Sequence, residues 1–267
     1  MLASLRHVSK AFVNPRTGKG LVALNDVSLD IEEGEFLCLI GSSGCGKSTT
    51  LDLLAGFETP TSGEVLFKGD EVSGPSPSRG VVFQEPSLYP WMTVLQNVTF
   101  SLQNVWGGRR EREAKALEYL RLVGLEEFSH ARPNELSGGM KQRVAIARTL
   151  AMDPDLLLMD EPFSSLDEQT RRKLDNEVLN IWKREAKTVV FVTHSIDEAL
   201  ILGTRVVLMS TSPGRISKEW KIDMPWPRNP SSPEMVRLKE EMIRCLQVCS
   251  CAQSAPSVSF INFDKVT

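Results

Sequence analysis

Residues Gly41, Ser42, Ser43, Gly44, Cys45, Gly46, Lys47, Ser48 and Thr49 leave the fold little freedom, because a run of this kind is built to wrap an anion. An apolar, strand-like run (Phe36-Leu37-Cys38-Leu39-Ile40) precedes it, and a helical pattern carrying Leu51, Leu53, Leu54 and Ala55 follows. Strand, glycine loop and helix in that order distinguish a phosphate-binding loop from a chance match to its pattern. Glycines let consecutive backbone N–H groups curl around an anion where a β-carbon would clash. The helix that starts near Lys47 then turns unpaired N–H groups and a positive dipole end toward the phosphates. In this reading Lys47 reaches the β- and γ-phosphates and the Ser48 hydroxyl ligates Mg²⁺. The loop predicts a bound nucleoside triphosphate.

The 267 residues give room for one sizeable domain with a subdomain and a tail. A formal charge of −3 supplies no basic field for nucleic acid. The cluster Arg109-Arg110-Glu111-Arg112-Glu113 alternates sign and reads as a solvated helix face. No apolar window approaches the roughly 18 residues a membrane span needs, and the N-terminal residues show no secretory pattern. Five cysteines, an odd number, argue against a disulfide framework and fit a reducing compartment. Cys38 reads as a small core residue. Cys45 lies inside the phosphate loop, where positive potential is expected to lower its pKa and make it reactive. Cys245, Cys249 and Cys251 are crowded but lack a fourth ligand for zinc.

Along the chain, residues 2–8 and 21–31 read as strands joined by a polar turn at residues 14–18. A further strand is expected at 64–67, and another from Gly80 through Val81, Val82 and Phe83, ending at Gln84. Thr93 and Gln96 have capping-box spacing at the start of a helix. A second helix begins near Arg110 with Ala116, Leu117, Leu120 and Val123 on one stripe, and a third near Ser137 with Met140, Val144, Ala147 and Ala151. Residues 90–150 therefore read as an all-helical insertion. Strand-helix alternation resumes at the continuous apolar run Leu156–Met159. A helix follows from about Leu166, with Ser165 and Glu168 at capping-box spacing, and then a strand at 189–192 and a helix opened by Ser195 and Glu198. Closing strands are expected at 206–209 and 216–222, a linker at 226–230 and a helix at 233–248. The alternation predicts a mostly parallel sheet with helices on both faces.

Leu156-Leu157-Leu158-Met159-Asp160-Glu161-Pro162 has the form of a Walker B strand, an apolar run ending in two carboxylates at the edge where open α/β sheets bind ligands. Asp160 is suited to hold Mg²⁺ through its water shell, and Glu161 to polarise the attacking water as general base. Leu136-Ser137-Gly138-Gly139-Met140 opens a helix and makes a second anion-binding terminus, without a lysine. The chain thus carries two phosphate-suited helix ends but a single set of lysine and metal-associated acids. The economical solution is that the second end faces the γ-phosphate of ATP held by another copy.

At this point the chain resembles the ATP-binding cassette (ABC) ATPases over about residues 1–225, with the motifs in the family's order: phosphate loop, Gln84, Leu136–Gly139, Walker B, Ser164-Ser165-Leu166-Asp167 and His194. The resemblance implies an α/β P-loop NTPase fold of the ABC ATPase type. This has a mostly parallel core sheet, an antiparallel β subdomain and an inserted all-helical subdomain at about 90–150. A linker and C-terminal helix at 226–248 and a disordered tail at 249–267 complete the expected organisation. It also implies that Gln84 senses Mg²⁺ and the attacking water and couples the site to the helical insertion. By the same resemblance, Ser137 and Gly139, with Gly138 between them, contact the ATP of a partner copy. Asp167 lies at the dimer interface, His194 bonds the γ-phosphate and Phe12 stacks on adenine.

Within the family, Gly80–Pro86 continuing through Leu88-Tyr89-Pro90-Trp91-Met92-Thr93-Val94 is similar to the nitrate, sulfonate and taurine importers, a pattern that bicarbonate and pyrimidine-precursor importers share. Met140 in place of the family's common glutamine fits that branch, while Tyr89 replaces a more usual aliphatic residue. The resemblance implies an ATP-hydrolysing homodimer on the cytoplasmic face of the inner membrane. Leu88, Tyr89, Trp91 and Met92 would dock a permease that works with a solute-binding protein, and nucleic acid is not an expected partner. The competing readings are a non-transport ABC ATPase, an exporter or lipid-transport ATPase, and a regulatory subunit without turnover. Tandem cassettes, coiled-coil insertions, zinc modules and basic arms, which mark the first of these, are missing from the sequence.

Overall fold

Strands with continuous apolar runs can be buried on two faces, and strands with alternating ones on one. In the computed structural model, which describes residues 1–13, 20–103, 105, 107–164, 166–211 and 213–251, the elements run in chain order as follows. First come β1 (Ala3–Val13), β2 (Gly20–Ile31), β3 (Phe36–Ile40), α1 (Lys47–Ala55), β4 (Ser62–Phe67), β5 (Asp70–Glu71) and β6 (Arg79–Val82). The helices α2 (Val94–Ser101), α3 (Arg109–Leu122) and α4 (Gly138–Leu150) follow. The chain continues with β7 (Leu156–Asp160), α5 (Glu168–Glu185), β8 (Thr188–Val192), α6 (Ile196–Leu202), β9 (Arg205–Ser210), β10 (Arg215–Lys221) and α7 (Pro233–Cys251). The expected turn at 14–18, Ser165, and the tail beyond Cys251 lie outside the described residues.

Two compact units result, one of residues 1–75 together with the chain from Val190 onward, the other of residues 76–189. In the first, β2, β1, β4 and β5 form an antiparallel sheet in that order. β1 and β2 show mixed burial along their length, so one face meets solvent. β1 runs to Val13, five residues past its expected end, because register shifts between Leu5 and Ala11 let it follow β2 around a bend. β3 and β9 are parallel, Leu37 opposite Arg205 and Ile40 opposite Leu208, and β10 closes antiparallel on β9. Every residue of β3 is buried, which is what its unbroken apolar run requires.

The segment read as a linker, 226–230, is fastened to this unit. Trp226 Nε1 donates to the Ile201 carbonyl at 2.7 Å, and the Arg228 guanidinium donates to Leu200 at 2.7 Å and Gly203 at 2.6 Å. These carbonyls end α6 and have no partner inside the helix, so a cation is the natural cap. Burial lowers the Arg228 pKa to about 10.

In the second unit, β6 and β7 pair in parallel, Arg79 opposite Leu156 and Val82 opposite Met159. α2, α3 and α4 pack on one another around Val94, Val98, Leu102, Ala116, Leu120, Val123, Val144 and Ala147. Thr93 and Gln96 form the predicted capping box. Tyr119 joins the α3 stripe, and burial together with the Glu185 charge pushes its pKa up to about 12. Two expectations need correction. β6 stops at Val82, so Gln84 sits in the loop beyond the strand, and Phe83 is exposed. α5 begins at Glu168, past the expected Leu166, and Asp167 is its cap. The Asp167 carboxylate accepts from Thr170 N at 3.0 Å and Thr170 Oγ1 at 2.7 Å, while Glu168 pairs with Arg172 one turn on.

Candidate functional site

The phosphate loop of the first unit is held from behind by close backbone packing. A β-carbon on Gly41 would come within 2.6 Å of Cys45 Sγ and 2.7 Å of the Met209 carbonyl. Gly46 has φ 91, and its β-carbon would meet Leu24 Cδ2 at 2.4 Å, so both positions demand glycine. Gly46 begins α1 with no side-chain cap, and no acid lies in the first helical turn. That terminus keeps the positive end of its dipole for an anion, the arrangement a triphosphate needs. Lys47 is buried, and its ammonium donates to the carbonyls of Gly41 at 2.9 Å and Ser42 at 3.3 Å. Ser43, Gly44 and Ser48 are exposed, whereas Thr49 is half-buried.

The Cys45 expectation is overturned. Its thiol is fully buried, and burial raises its pKa more than the nearby Lys47 ammonium can lower it. Desolvation beats the local charge, so this thiol is protected.

His194, also in this unit, is exposed two residues beyond the end of β8. Its neighbours fix it: Thr193 N donates to Leu39 O in β3 at 3.1 Å, the Thr193 hydroxyl donates to the buried Glu198 carboxylate, and Ser195 N donates to Thr193 Oγ1 at 2.9 Å. Ser195 in turn caps α6, accepting from Glu198 N at 3.3 Å. Phe12 is 39% exposed near the end of β1, with Lys10 Nζ 4.9 Å from its ring centre.

In the second unit Asp160 ends β7, and Glu161 takes a left-handed backbone with φ 42. Such a conformation is strained for a residue with a side chain and clusters at functional sites. Gln84 Nε2 donates to Ser164 Oγ at 3.0 Å, and Ser164 Oγ donates to the Glu161 carbonyl at 3.0 Å. The structure thus brings Gln84 and Glu161 together through a residue the sequence did not single out for this role. At the start of α4, Ser137 Oγ accepts from Met140 N at 3.3 Å. Ser137 and Gly138 are exposed, but Gly139 is buried, and a β-carbon there would stand 3.0 Å from Thr170 Cγ2 on α5. Asp167 is exposed, and the two hydrogen bonds from Thr170 hold its carboxyl below the usual range.

A family model described as ABC transporter matches residues 24–164. The chain belongs to the ABC transporter family. The cassette is 51% identical to the taurine import ATP-binding protein of Rhizobium johnstonii over 80% of this chain and 82% of that protein. It is 45% identical to the nitrate import ATP-binding protein of Synechocystis sp. over 90% of each. Among solved structures, a dimeric bacterial ABC transporter cassette superposes with a TM-score of 0.74 at 35% identity, covering 84% of this chain and 100% of that one. The same bacterial cassette in a post-hydrolysis dimer bound to ADP and Pi gives 0.72 at 34% identity, with the same coverage. The cassette has the ABC ATPase fold expected from its motifs, binds ATP and is an ATPase.

The second unit of the cassette also carries an open groove of about 830 Å³ whose lining includes Trp91, Met92, Leu95, Phe100, Arg109 and His130. Trp91 is 68% exposed. Tyr89 packs edge-on against Phe100 at 4.9 Å between centroids and stands 5.6 Å from Trp91. Among the described residues, no helix of the cassette is long and apolar enough to cross a membrane.

Proposed function

We propose that this cassette is the ATP-hydrolysing subunit of an importer that carries a small solute such as nitrate, a sulfonate or taurine through a separate permease. The observation that carries the import reading is the 45–51% identity, over most of each chain, to taurine and nitrate import subunits. In this reading Lys47 and the N–H groups at the start of α1 bind the β- and γ-phosphates, and Phe12 stacks on the base. Mg²⁺, held by Ser48, Asp160 and Gln84, would neutralise phosphate charge in the transition state. Glu161 accepts the proton of the attacking water, with Gln84 orienting that water and His194 donating to the γ-phosphate.

The two exposed residues at the start of α4, Ser137 and Gly138, suit contact with the ATP of a second copy, and Asp167 suits the interface between copies. The wide, mixed-polarity groove beside Trp91 suits a permease helix, since Trp91, Tyr89 and Phe100 form one aromatic cluster there and contiguous apolar surface marks partner sites. The cassette would then sit peripherally on the cytoplasmic face of the membrane. Uptake tests this. Cells lacking the gene are expected to lose uptake of labelled taurine or of nitrate and to regain it with the wild-type gene but not with Glu161→Gln. Unchanged uptake of both would remove the import assignment.

A further inference from the structure

Between the end of β6 at Val82 and Thr93, which caps α2, the chain has no regular secondary structure, yet its course is closely held. Its first half is gripped by side chains of α4. Thr149 Oγ1 lies 3.2 Å from the Val81 carbonyl, at the end of β6, and 3.1 Å from the Ala145 carbonyl of its own helix, the two acceptors open to its single proton. Gln142, which is 2% exposed, donates through Nε2 to the Phe83 carbonyl at 3.1 Å, immediately before Gln84. Arg148 then forks onto the next turn of the loop, Nη2 to the Pro86 carbonyl at 3.0 Å and Nη1 to the Ser87 carbonyl at 2.8 Å. Beyond Arg148 the grip passes to α2. Asn97 Oδ1 accepts from Tyr89 N at 2.8 Å, and its Nδ2 donates to the Met92 carbonyl at 3.3 Å.

The fork falls on the strained point of the loop. Ser87 is left-handed, with φ 45, a conformation that persists only where surrounding contacts over-determine it. A guanidinium presents donors in a rigid planar fork, and these match two successive carbonyls where a lysine could take only one. The clamp lies between Gln84 on one side and the segment from the half-buried Tyr89 to the exposed Trp91 on the other.

We propose that Arg148 is a positioning residue, a latch whose two hydrogen bonds to Pro86 and Ser87 couple the Tyr89–Trp91 surface to Gln84. It also ties that coupling to α4, the helix that begins at Ser137. The inference rests on the reading of Gln84 as a residue of the hydrolytic site, and it goes beyond that reading by naming how Gln84 is held.

The test is a double-mutant cycle on kcat with the full chain, read alongside ATP affinity and Tm. Arg148→Met is expected to lower kcat about tenfold, the scale of losing charge-assisted hydrogen bonds, with ATP affinity changed less than about twofold. Arg148→Lys should fall between it and the wild type, and it serves in its place if Arg148→Met does not fold. In a Gln84→Ala background the Arg148 substitution is expected to cost less than about twofold more, because its route to the site is already gone. If the two losses multiply, Arg148 acts on stability or elsewhere, and the latch is wrong. If Gln84→Ala by itself leaves kcat unchanged, the role given to Gln84 falls, and the latch falls with it for that separate reason.

Discussion

Gln84 Nε2 lies 3.0 Å from Ser164 Oγ, and the same hydroxyl lies 3.0 Å from the carbonyl oxygen of Glu161. One small side chain thus joins a loop residue to the residue proposed as general base. Both anchor points are backbone-controlled, since Glu161 is held at φ 42 and the Gln84 loop is clamped from α4. Removing the hydroxyl should loosen Gln84 without touching the phosphate loop. Ser164→Ala is expected to lower kcat about fivefold, the worth of one neutral hydrogen bond, while ATP affinity stays unchanged. A fall in affinity with kcat intact, measured by titration and steady-state turnover, would speak against the bridge.

Lys47 is the complementary case. Its ammonium is already desolvated and oriented by the Gly41 and Ser42 carbonyls, so little reorganisation is needed to meet an anion. Lys47→Ala should weaken ATP binding by on the order of tenfold or more, because charge-assisted hydrogen bonds to phosphate are lost. An unchanged dissociation constant would count against the phosphate-loop assignment.

Cys45 supplies a pH-dependent prediction. Burial raises its pKa in the folded chain, so the unfolded chain loses this proton first as pH rises. The stabilisation linked to the neutral thiol is therefore complete below the ordinary thiol pKa and is lost as pH climbs through the folded value. The thiolate is also the reactive form. Maleimide labelling followed by peptide mass analysis should find Cys45 slower at neutral pH than the partly exposed Cys245, and accelerating only above the usual thiol range. Equal rates at neutral pH would show that the loop opens freely.

The groove beside Trp91 makes its own prediction. Trp91→Glu places a charge where an aromatic side chain is proposed to meet the permease helix, and an unpaired charge buried there is costly to desolvate. The variant is expected to keep its ATP affinity and lose co-purification with its permease. Retained co-purification would move the docking surface elsewhere.

The phosphate loop, the Walker B strand and the α4 start were legible in the sequence because each is a short contiguous pattern whose chemistry is local. Alternation of apolar runs likewise displayed the parallel strands and the helical stretch. What escaped depends on contacts between distant residues. Cys45 looked activated because the nearby lysine is visible in sequence, whereas its packing under Gly41 is not. α5 starts at Glu168 under an Asp167 cap, and the start of a helix among several polar residues is set by backbone geometry. β6 ended early because Phe83 turns out of the core, which an apolar run cannot reveal. Arg148 reads as an ordinary helical arginine, and its carbonyl partners lie about sixty residues away.

The most direct test of the whole account is steady-state phosphate release from Mg-ATP by the purified wild-type cassette and by Glu161→Gln. The two should bind ATP equally, and the variant should release phosphate at least ~10²-fold more slowly, as expected when a general base is removed. Near-normal release by the variant would contradict the assignment of Glu161 and the mechanism built on it.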